Sequence, residues 1–366
     1  MKIEVIKEKL QIAISKTERF SGKHLSLPIL SHLLLIAKNG TLTIRSTNLD
    51  MGVEYTFPVK IEREGVVAVP ATVFSSFVSN LRNAKNINIE QKEQKLHVSS
   101  SGASALINIG MADDFPTIPK ASGSSFLLDP QVLVKGFRSV QYAGAVGNLK
   151  PELSSVYVYH ENEDLVFVAT DSFRLAEKKV SVKKGVAPLQ SVLVPVKNAG
   201  ELVRLLDEEK EDVRVSMEKG QLSIEAEGFY VTTRLVEGSF PDYRQIIPKE
   251  FSTEVVALRE DVAGALKITT LFSDRFNQLR FKVDPEKKEF ILVARNGEVG
   301  ESTEGIPAAL TGAPIESNFN YRYVGDCLSV IGGDSVSFRF SGENKPLLIG
   351  GVGDRSFQYL VMPMNR

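Results

Sequence analysis

Apolar residues follow two different periods along this chain, and each period predicts one kind of element. Residues such as Ile6, Leu10 and Ile14 recur at helical spacing, and similar patterns predict opening helices over residues 5–20, 129–145 and 259–275. Apolar runs bounded by polar turns, namely LLLIA, LTIRST, VYVYH and LVFVAT, predict strands. Because hairpins dominate, we expect an α+β fold with largely antiparallel sheets.

The chain also resembles itself at a spacing of 125 residues. Residues 66–81 (VVAVPATVFSSFVSNL) and 191–206 (SVLVPVKNAGELVRLL) both fit an apolar strand, a proline and an amphipathic helix. Pro70 and Pro195 are 125 residues apart, and so are the phenylalanines of the segments DDFPTI and GSFPDY. A fainter third unit at residues 316–331 (ESNFNYRYVGDCLSVI) follows at the same distance.

Several coincident spacings in the same order predict triplication of one domain. The period is too long for a solenoid unit, so we expect whole domains strung together. The predicted domains are residues 1–122, 123–248 and 249–366, each with two helices and antiparallel sheets. The Pro- and Ser-bearing segments DDFPTIPKASGSS and SFPDYRQIIPKEFS are the predicted joints.

Composition excludes several classes of site. The 366 residues carry a net charge of −1, so the protein could bind nucleic acid only through basic residues that are placed locally. The single cysteine, Cys327, excludes an intramolecular disulfide and a cysteine cluster for zinc, and it suits a reducing cytosol. The four histidines are scattered, so we expect no metal and no cofactor. The charged N-terminal segment does not fit a signal peptide, and no apolar run is long enough to span a membrane.

The segment VATDSFRLAEKKV, residues 168–180, raises the question of catalysis. Asp171 and Arg174 could form a site, but the positions that match the aspartate in the other units are Asn48 and Asn296. The chain has no P-loop, no GxGxxG after a strand, no HExxH and no GxSxG. No set of nucleophile, base and orienting residue is recognisable, so an enzyme remains an alternative and not the first hypothesis.

Four motifs at matching places carry a resemblance to a known family: SLPILSHLLL near the start, VATDSFRLA in the second unit, FPDYRQIIP at the second joint and VMPM near the end. Over its whole length the chain resembles the bacterial sliding clamps, the β subunits of DNA polymerase III. It departs from the family pattern at Ser172 and Phe173, where Gly-His is usual, and in its ending, Met364-Asn365-Arg366.

The resemblance implies a non-catalytic processivity factor with the DNA-clamp fold. Two protomers would join head to tail as a homodimer and form a six-domain ring that encircles duplex DNA without sequence specificity. The ring would tether the DNA polymerase III α subunit, the clamp loader and other proteins with clamp-binding motifs, in the cytoplasm on the nucleoid. The triplication agrees, because two chains of three equal arcs make a near-sixfold ring.

The resemblance also implies a pocket in which Leu, Ile and Met form an adaptable floor for short peptides that carry a Gln and large apolar residues. Arg174 and Asn320 would hydrogen-bond the peptide backbone. The full set of pocket residues is Leu153, Thr170, Ser172, Phe173, Arg174, Leu175, Pro241, Gln245, Ile246, Asn320, Tyr323, Pro346, Val361, Met362, Pro363 and Met364.

The resemblance also implies two further sets of residues, one at DNA and one at the dimer interface. DNA contacts are expected from Lys23, His24, Arg82, Asn148, Lys150, Lys197 and Arg204. Other helix-borne bases expected to line the ring are Lys16, Arg19, Lys135, Arg138, Lys267 and Arg322. At the interface, Ala105 and Ile107 of one protomer would face Leu271 and Phe272 of the other.

Two other interpretations stay open: an enzyme with a site at Asp171 and Arg174, and a scaffold with peptide pockets but no role at DNA. Retention on circular but not on linear DNA, without turnover, distinguishes a clamp from an enzyme. Lys/Arg→Glu changes in the helices would leave the function of a scaffold intact.

Overall fold

The computed structural model describes residues 1–22, 27–82, 84–121, 125–147, 149–182, 190–218 and 220–364. The chain forms two compact units. The first comprises Met1–Pro130 and Glu208–Leu235, and the second comprises Gln131–Asp207 and Val236–Arg366.

Six α-helices and a larger number of strands make up the described residues. The helices are α1 (Lys7–Thr17), α2 (Ala71–Asn80), α3 (Pro130–Val140), α4 (Val196–Leu206), α5 (Arg259–Thr269) and α6 (Tyr321–Leu328). The strands before α3 are β1 (Lys2–Ile6), β2 (His32–Lys38), β3 (Thr41–Thr47), β4 (Met51–Pro58), β5 (Lys60–Arg63), β6 (Gly65–Pro70), β7 (Asn86–Lys92), β8 (Lys95–Ser100), β9 (Ala103–Asn108) and β10 (Ser125–Leu128). Between α3 and α5 they are β11 (Ser155–Glu161), β12 (Asp164–Thr170), β13 (Arg174–Ser181), β14 (Val192–Pro195), β15 (Val213–Glu218), β16 (Gln221–Ala226), β17 (Phe229–Arg234) and β18 (Thr253–Leu258). After α5 they are β19 (Gln278–Asp284), β20 (Glu289–Asn296), β21 (Gly300–Gly305), β22 (Ala308–Gly312), β23 (Ile315–Asn320), β24 (Ser335–Phe340), β25 (Leu347–Gly351) and β26 (Phe357–Val361).

The strands of the first unit form two antiparallel sheets, in the orders β5-β1-β7-β8-β9 and β10-β15-β16-β17-β4-β3-β2-β6. The helices α1 and α2 bury their apolar faces in a core shared by strands of both sheets. Leu10 and Ile14 of α1 and Phe74 of α2 belong to this core, together with strand residues such as Leu35 and Ile89. An apolar stripe on each helix is what makes this packing possible.

The strands of the second unit also form two antiparallel sheets. Their orders are β14-β11-β12-β13-β26-β25-β24-β18-β22 and β21-β20-β19-β23. Phe281 of β19 lies at the centre of an aromatic cluster, with ring centroids 5.4–6.2 Å from those of Phe290, Phe319, Phe338 and Phe340. These contacts hold the four-stranded sheet against β24 of the nine-stranded sheet.

The prediction that each repeated unit opens with a helix is wrong, because a strand comes first each time: β1, β10 and β18. In β1, Ile3 and Val5 are buried while Lys2 and Glu4 are not, which is the period of two that a strand shows. Ile6, assigned by its spacing to the helical stripe, ends this strand and is 46% exposed.

The predicted succession of strand, proline and helix is confirmed. Pro70 ends β6 before α2, and Pro195 ends β14 before α4. In the third unit Asn320 takes the place of the proline, and its side chain caps α6 by accepting a hydrogen bond from Arg322 N at 3.0 Å. The repeat seen in the sequence is therefore a repeat of supersecondary structure.

The sheets cross the predicted domain boundaries. Strand β17 of the second repeat pairs with β4 of the first, and β13 of the second repeat pairs with β26 of the third. The compact units therefore follow the sheets and not the sequence period, and the limits at residues 122 and 248 stay a prediction from the repeat.

The described residues were searched for membrane-spanning helices and for clusters of metal-binding side chains. None of the described helices is long and apolar enough to cross a bilayer. Within the same ranges, no group of three or more His, Cys, Asp or Glu side chains lies close enough together to hold a metal ion. Cys327 is fully buried in α6, and burial raises the pKa of its thiol well above the usual value, so it is a core residue.

Gly136→Ala should destabilise the protein by about 2–3 kcal/mol, since overpacking a well-filled core forces side chains or backbone to shift. A Cβ at Gly136 in α3 would lie 2.3 Å from the ring of Phe167, which is fully buried and packs edge-on against Phe137 at 5.2 Å. Urea denaturation should show the loss. The matched control is Gly264→Ala in α5, where an added Cβ meets nothing within 4 Å. It should leave stability unchanged or raise it by up to about 1 kcal/mol, and equal losses in both variants would contradict this account.

Candidate functional site

The segment VATDSFRLAEKKV is the end of β12, a tight turn and the start of β13. Asp171 Oδ1 accepts hydrogen bonds from the main-chain N–H groups of Phe173 and Arg174, both at 3.0 Å. Thr170 Oγ1 accepts from Ser172 N at 3.1 Å and donates to the carbonyl of Arg174 at 2.6 Å. Both side chains therefore close the turn, and Asp171 has a structural role there.

The two departures from the family pattern shape the tip of this turn. Ser172 has a φ of 77°, a left-handed conformation that glycine adopts freely and that costs serine of order 1–3 kcal/mol. Phe173 is 62% exposed, so the turn presents an aromatic ring to solvent. The carbonyl of Phe173 accepts a hydrogen bond from Met362 N at 2.8 Å. The turn and the C-terminal segment therefore form one continuous surface.

The guanidinium of Arg174 is already occupied by two carboxylates. Its Nε donates to Asp171 Oδ2 at 3.0 Å, its Nη1 donates to Asp326 Oδ2 at 2.5 Å, and it lies 4.4 Å from the ring centroid of Tyr323. Burial opposes the charge, but Tyr359, Asp326 and Asp171 outweigh it and hold the pKa of Arg174 above its usual value. A guanidinium that stays charged is neither an acid nor a base. Nε and Nη1 each already donate to a carboxylate within the protein, and the expectation that Arg174 hydrogen-bonds a peptide backbone stays a prediction.

The C-terminal segment lies first beside β13 and then beside β23. Val361 pairs with Arg174 across the two strands, and Met364 N donates to the carbonyl of Asn318 at 2.8 Å. The predicted lining residues divide here into two groups. Val361 and Leu175 are 0% and 1% exposed, so their side chains support the surface from below. Met362, Pro363 and Met364 are half-buried and are the ones within reach of a ligand.

The predicted joint FPDYRQIIP alternates between anchored and exposed side chains. Phe240 stacks on Tyr157 at 5.0 Å with the two rings 8° from parallel, and Tyr243 is only 6% exposed. The three pocket residues predicted from this segment, Pro241, Gln245 and Ile246, are all exposed. The anchors therefore fix a short segment whose other side chains face solvent.

The turn, the C-terminal segment and the joint meet in one apolar cluster. Leu175 and Tyr243 are buried in it, and Phe240 and Met362 pack against it. These residues come from three segments that are far apart in sequence, and all of them lie in the second unit. The expectation that the three segments adjoin is confirmed.

A buried hydrogen-bond network holds the joint in place. The hydroxyl of Tyr243 donates to Glu177 Oε2, while Gln358 Nε2 donates to the other carboxylate oxygen at 2.7 Å. Tyr159 OH lies 2.7 Å from Tyr243 OH, and Arg244 Nη2 donates to Tyr159 OH at 2.6 Å. Burial, together with the neighbouring carboxylate, raises the pKa of Tyr243 well above its usual value. The tyrosine therefore stays a neutral donor.

Tyr243→Phe should cost about 1.5–3 kcal/mol of stability, because the buried carboxylate of Glu177 loses one of its donors. Thermal denaturation of the two proteins measures this. Tyr157→Phe is the matched control: its ring packs against the same cluster, and its hydroxyl is not part of the network. A control variant as unstable as Tyr243→Phe would show that the network does not hold the joint.

Of the remaining predicted pocket residues, Thr170 and Tyr323 both contact Arg174, through a hydrogen bond to its carbonyl and through a ring beside its guanidinium. Leu153 and Thr170 are 7% exposed, Tyr323 and Pro346 are half-buried, and Asn320 uses its side-chain oxygen to cap α6. Sequence reasoning missed Asp326 and Glu177, the carboxylates that hold Arg174 and Tyr243. No local signal reveals them, since each partner lies 66 or more residues away.

The predicted DNA contacts are dispersed. Lys23, His24 and Asn148 lie outside the described residues. Arg82, Lys150, Lys197 and Arg204 are exposed, and Arg204 lies 3.5 Å from the carboxylate of Glu201. Two of the other helix-borne bases are held by ion pairs: Lys16 with Glu209 at 2.6 Å and Arg138 with Asp207 at 2.7 Å. The Lys16 side chain is only 17% exposed, and its assignment as a DNA contact stays a prediction.

The predicted dimer residues lie on a sheet edge and beside a helix end. Strand β9 is the edge of its five-stranded sheet. Ile107 is 6% exposed and belongs to the core of its own unit, so its side chain cannot face a partner as expected, and Ala105 packs against the same core. Leu106, between them, is 59% exposed. Leu271, just after α5, is 72% exposed, and Phe272 beside it is half-buried.

Comparison with known proteins gives one result over the whole chain. The chain is 27% identical to the β sliding clamp of Synechococcus elongatus over 371 residues, covering 100% of this chain and 99% of the relative. It is 28% identical to the β sliding clamp of Escherichia coli K12 over 370 residues, covering 100% of both chains.

Solved structures agree with the sequence relatives. The fold superposes on the DNA polymerase sliding clamp of Bacillus subtilis with a TM-score of 0.94 at 24% identity, covering 100% of this chain and 99% of that one. It also superposes on the sliding clamp of Pseudomonas aeruginosa bound to griselimycin, with a TM-score of 0.93 at 27% identity over 100% of both chains.

Three family models match successive parts of the chain. They describe the N-terminal, central and C-terminal domains of the DNA polymerase III beta subunit, and they match residues 1–119, 127–242 and 244–365. The chain therefore belongs to the family of bacterial β sliding clamps, the β subunits of DNA polymerase III.

Proposed function

We propose that this protein is a processivity clamp, a non-catalytic ring that encircles duplex DNA and tethers the replicative polymerase. The observation that carries the proposal is the match of all three β-subunit domains, in order, to one chain whose fold superposes on a clamp over its full length. A ring retained by topology needs no strong positive charge, which accords with the net charge of −1.

The ring would form from two protomers joined head to tail. An edge strand such as β9 exposes main-chain donors and acceptors, and an apolar side chain on its outer face makes the edge a liability unless a partner covers it. Leu106 on this strand and Leu271 after α5 are large, apolar and exposed. We assign them to the two complementary surfaces of the interface, with Phe272 beside Leu271 and with Ala105 and Ile107 supporting β9 from within.

Partner proteins would bind at the surface formed by the turn, the C-terminal segment and the joint. Met362 and Met364 offer adaptable apolar contacts, and Phe173 and Ile246 add large exposed apolar side chains. The occupant would be a short segment with a Gln and two or three large apolar residues. Because Phe173 replaces a histidine of the family pattern, the rim is more apolar here. The partners would be the polymerase α subunit, the clamp loader and other proteins with such segments.

Contacts with DNA would be weak and electrostatic. Arg82, Lys150, Lys197 and Arg204 are exposed and available for phosphate, with Lys23, His24 and Asn148 added from the sequence. The affinity for open DNA should fall as salt rises, because binding releases counterions. The clamp would act on the nucleoid in the cytoplasm. We assign no reaction to Asp171 or Arg174.

Solution mass and an electron-microscope image test the assembly together. The mass should be twice the 40.3 kDa of one chain, and class averages should show a closed ring with a central hole. A monomer at micromolar concentration, or a compact dimer without a hole, would contradict the proposal.

A further inference from the structure

The first unit contains a second copy of the turn that lies at the proposed peptide pocket. Thr47 Oγ1 accepts a hydrogen bond from Leu49 N at 3.1 Å and donates to the carbonyl of Met51 at 2.7 Å. Asn48 Oδ1 accepts from Asp50 N at 3.1 Å and from Met51 N at 2.8 Å. Each of these four bonds has a counterpart of similar length in the turn between β12 and β13. The same main-chain frame therefore occurs in both units.

The strand and the joint beside this turn match those of the second unit as well. Arg234 N, at the end of β17, donates to the carbonyl of Asp50 at 2.9 Å, which is the bond that links the C-terminal segment to the second turn. The first predicted joint lies against β4, because a Cβ added at Gly52 would be 2.9 Å from the side chain of Ile118. All of these segments belong to the first unit. We call them the first-unit surface: residues 47–51, 115–118 and 234–235.

Leu49 at the tip of the turn is unfavourable for folding. Its φ is 73°, in the left-handed region that leucine rarely adopts, and of the described non-glycine residues with a positive φ it alone is apolar. It is also 37% exposed, so the fold gains less from it than from a buried leucine. Glycine would adopt this turn without strain. A strained, exposed apolar side chain indicates a role in binding.

Positive charge is in excess at this surface. Arg234 is exposed, and within the described ranges no carboxylate lies within ion-pair distance of its guanidinium. On the face of β4 beside the joint, the carboxylate of Glu54 is shared by Arg45 at 2.7 Å and Lys120 at 2.6 Å. Asp50 is exposed and adds one further carboxylate. Three cations therefore stand against two carboxylates, which favours an anionic partner.

Other charges near these segments do not reverse this balance. Asp113 and Asp114, which precede the joint, lie beside β6, the far edge strand of the sheet and the fourth strand along from β17. Neighbouring strands are about 4.8 Å apart, so these carboxylates are roughly 15–20 Å from the strand that carries Arg234. None of the residues expected at DNA belongs to the first-unit surface.

We propose that the first-unit surface binds a partner protein through a short extended peptide in which a large apolar residue stands beside an acidic one. The apolar side chain covers Leu49 and the half-buried Leu235, and the acidic side chain forms an ion pair with Arg234. Main-chain N–H groups of the peptide donate to Asp50, because an ionised carboxylate only accepts hydrogen bonds. The site follows the pattern of the proposed peptide pocket but shares no residue with it, so it is an addition to the proposed function.

Fluorescence polarisation of the full-length protein tests the site with a labelled glycine- and serine-based peptide of about ten residues whose centre is Asp-Phe-Glu. We expect saturable binding with a dissociation constant below about 1 mM, and Arg234→Glu should weaken it at least about tenfold. Arg214→Glu is the matched control, since Arg214 is exposed in β15 of the same sheet and lies outside the first-unit surface. It should leave the affinity unchanged.

Leu49→Gly separates binding from folding. Glycine removes the side chain and relieves the strain at a φ of 73°, so the thermal midpoint should stay the same or rise. Peptide affinity should nevertheless fall at least about threefold, because an apolar contact is lost. An unchanged affinity in this variant would overturn the proposal.

A second peptide and a second protein variant separate this site from the proposed peptide pocket. Met362→Ala combined with Met364→Ala should weaken a Gln-containing apolar peptide and leave the Asp-Phe-Glu peptide unaffected, and Arg234→Glu should do the reverse. If the methionine variant weakens the acidic peptide, that peptide occupies the peptide pocket and the proposal is wrong. No saturation up to about 1 mM would also overturn it. So would equal affinity for a Lys-Phe-Lys peptide, or a single-stranded oligonucleotide that binds more tightly and depends on Arg234.

Discussion

Leu271→Asp should convert the dimer into monomers and abolish stable retention on circular DNA. Leu271 is 72% exposed on the isolated chain, so the substitution should leave the fold intact. In an interface, the new carboxylate would be removed from water without a partner, which costs several kcal/mol. The dimer dissociation constant should therefore rise by more than about 100-fold. Light scattering across a dilution series measures it.

Two companion variants sharpen this test. Leu106→Asp, on the other proposed surface, should have the same effect, because a head-to-tail contact needs both faces. Leu127→Asp is the control, since Leu127 is also exposed, at 56%, but belongs to neither surface. If Leu271→Asp dimerises as tightly as the control, the proposed interface is wrong.

Deleting Met362–Arg366 should weaken the binding of a Gln-containing apolar peptide by at least about tenfold, which corresponds to about 1.4 kcal/mol of binding free energy. This loss is smaller than the free energy that the burial of one methionine side chain contributes. The truncation should keep Val361, because that residue is fully buried and pairs with Arg174 and Leu347 across neighbouring strands. Fluorescence polarisation with a labelled peptide gives the affinity. The thermal midpoint and the dimer mass should stay close to those of the full chain.

Two alanine substitutions show whether the truncation weakens peptide binding by removing side-chain contacts or by disturbing the sheet. Met362→Ala combined with Met364→Ala should reproduce most of the loss, because both side chains are half-buried beside the turn. Met111→Ala removes a methionine that is 69% exposed in the first unit, and it should not change peptide binding. Undiminished binding by the truncated protein would remove the C-terminal segment from the pocket.

The sequence predicted the elements with a strong local signal. Pro70 and Pro195 mark the start of α2 and α4 correctly, because proline fits the residue before a helix and cannot continue a strand ladder. The opening strands were missed, since Ile6 continues a helical spacing by coincidence while the short alternation of Ile3 and Val5 gives a weaker signal. A period of two over five residues is easily hidden by an adjacent helix.

The site could be predicted only in part. Family motifs named the turn, the joint and the C-terminal segment, and the structure brings these three together around Leu175 and Tyr243. Which side chains face outward depends on register, and so Val361 and Ile107 proved to be buried. The Arg174–Asp326 pair joins residues 152 positions apart and leaves no pattern in a single sequence.

The most direct test of the clamp is whether it stays on circular DNA and leaves the same DNA once it is linearised. The protein is loaded onto nicked circular DNA with its clamp loader and ATP, and the complex is separated by gel filtration at about 0.5 M salt, where weak phosphate contacts are screened. The account predicts that the protein stays with the circle and is lost when a restriction enzyme linearises the DNA. Loss from the intact circle, or equal retention on the linear product, would contradict it.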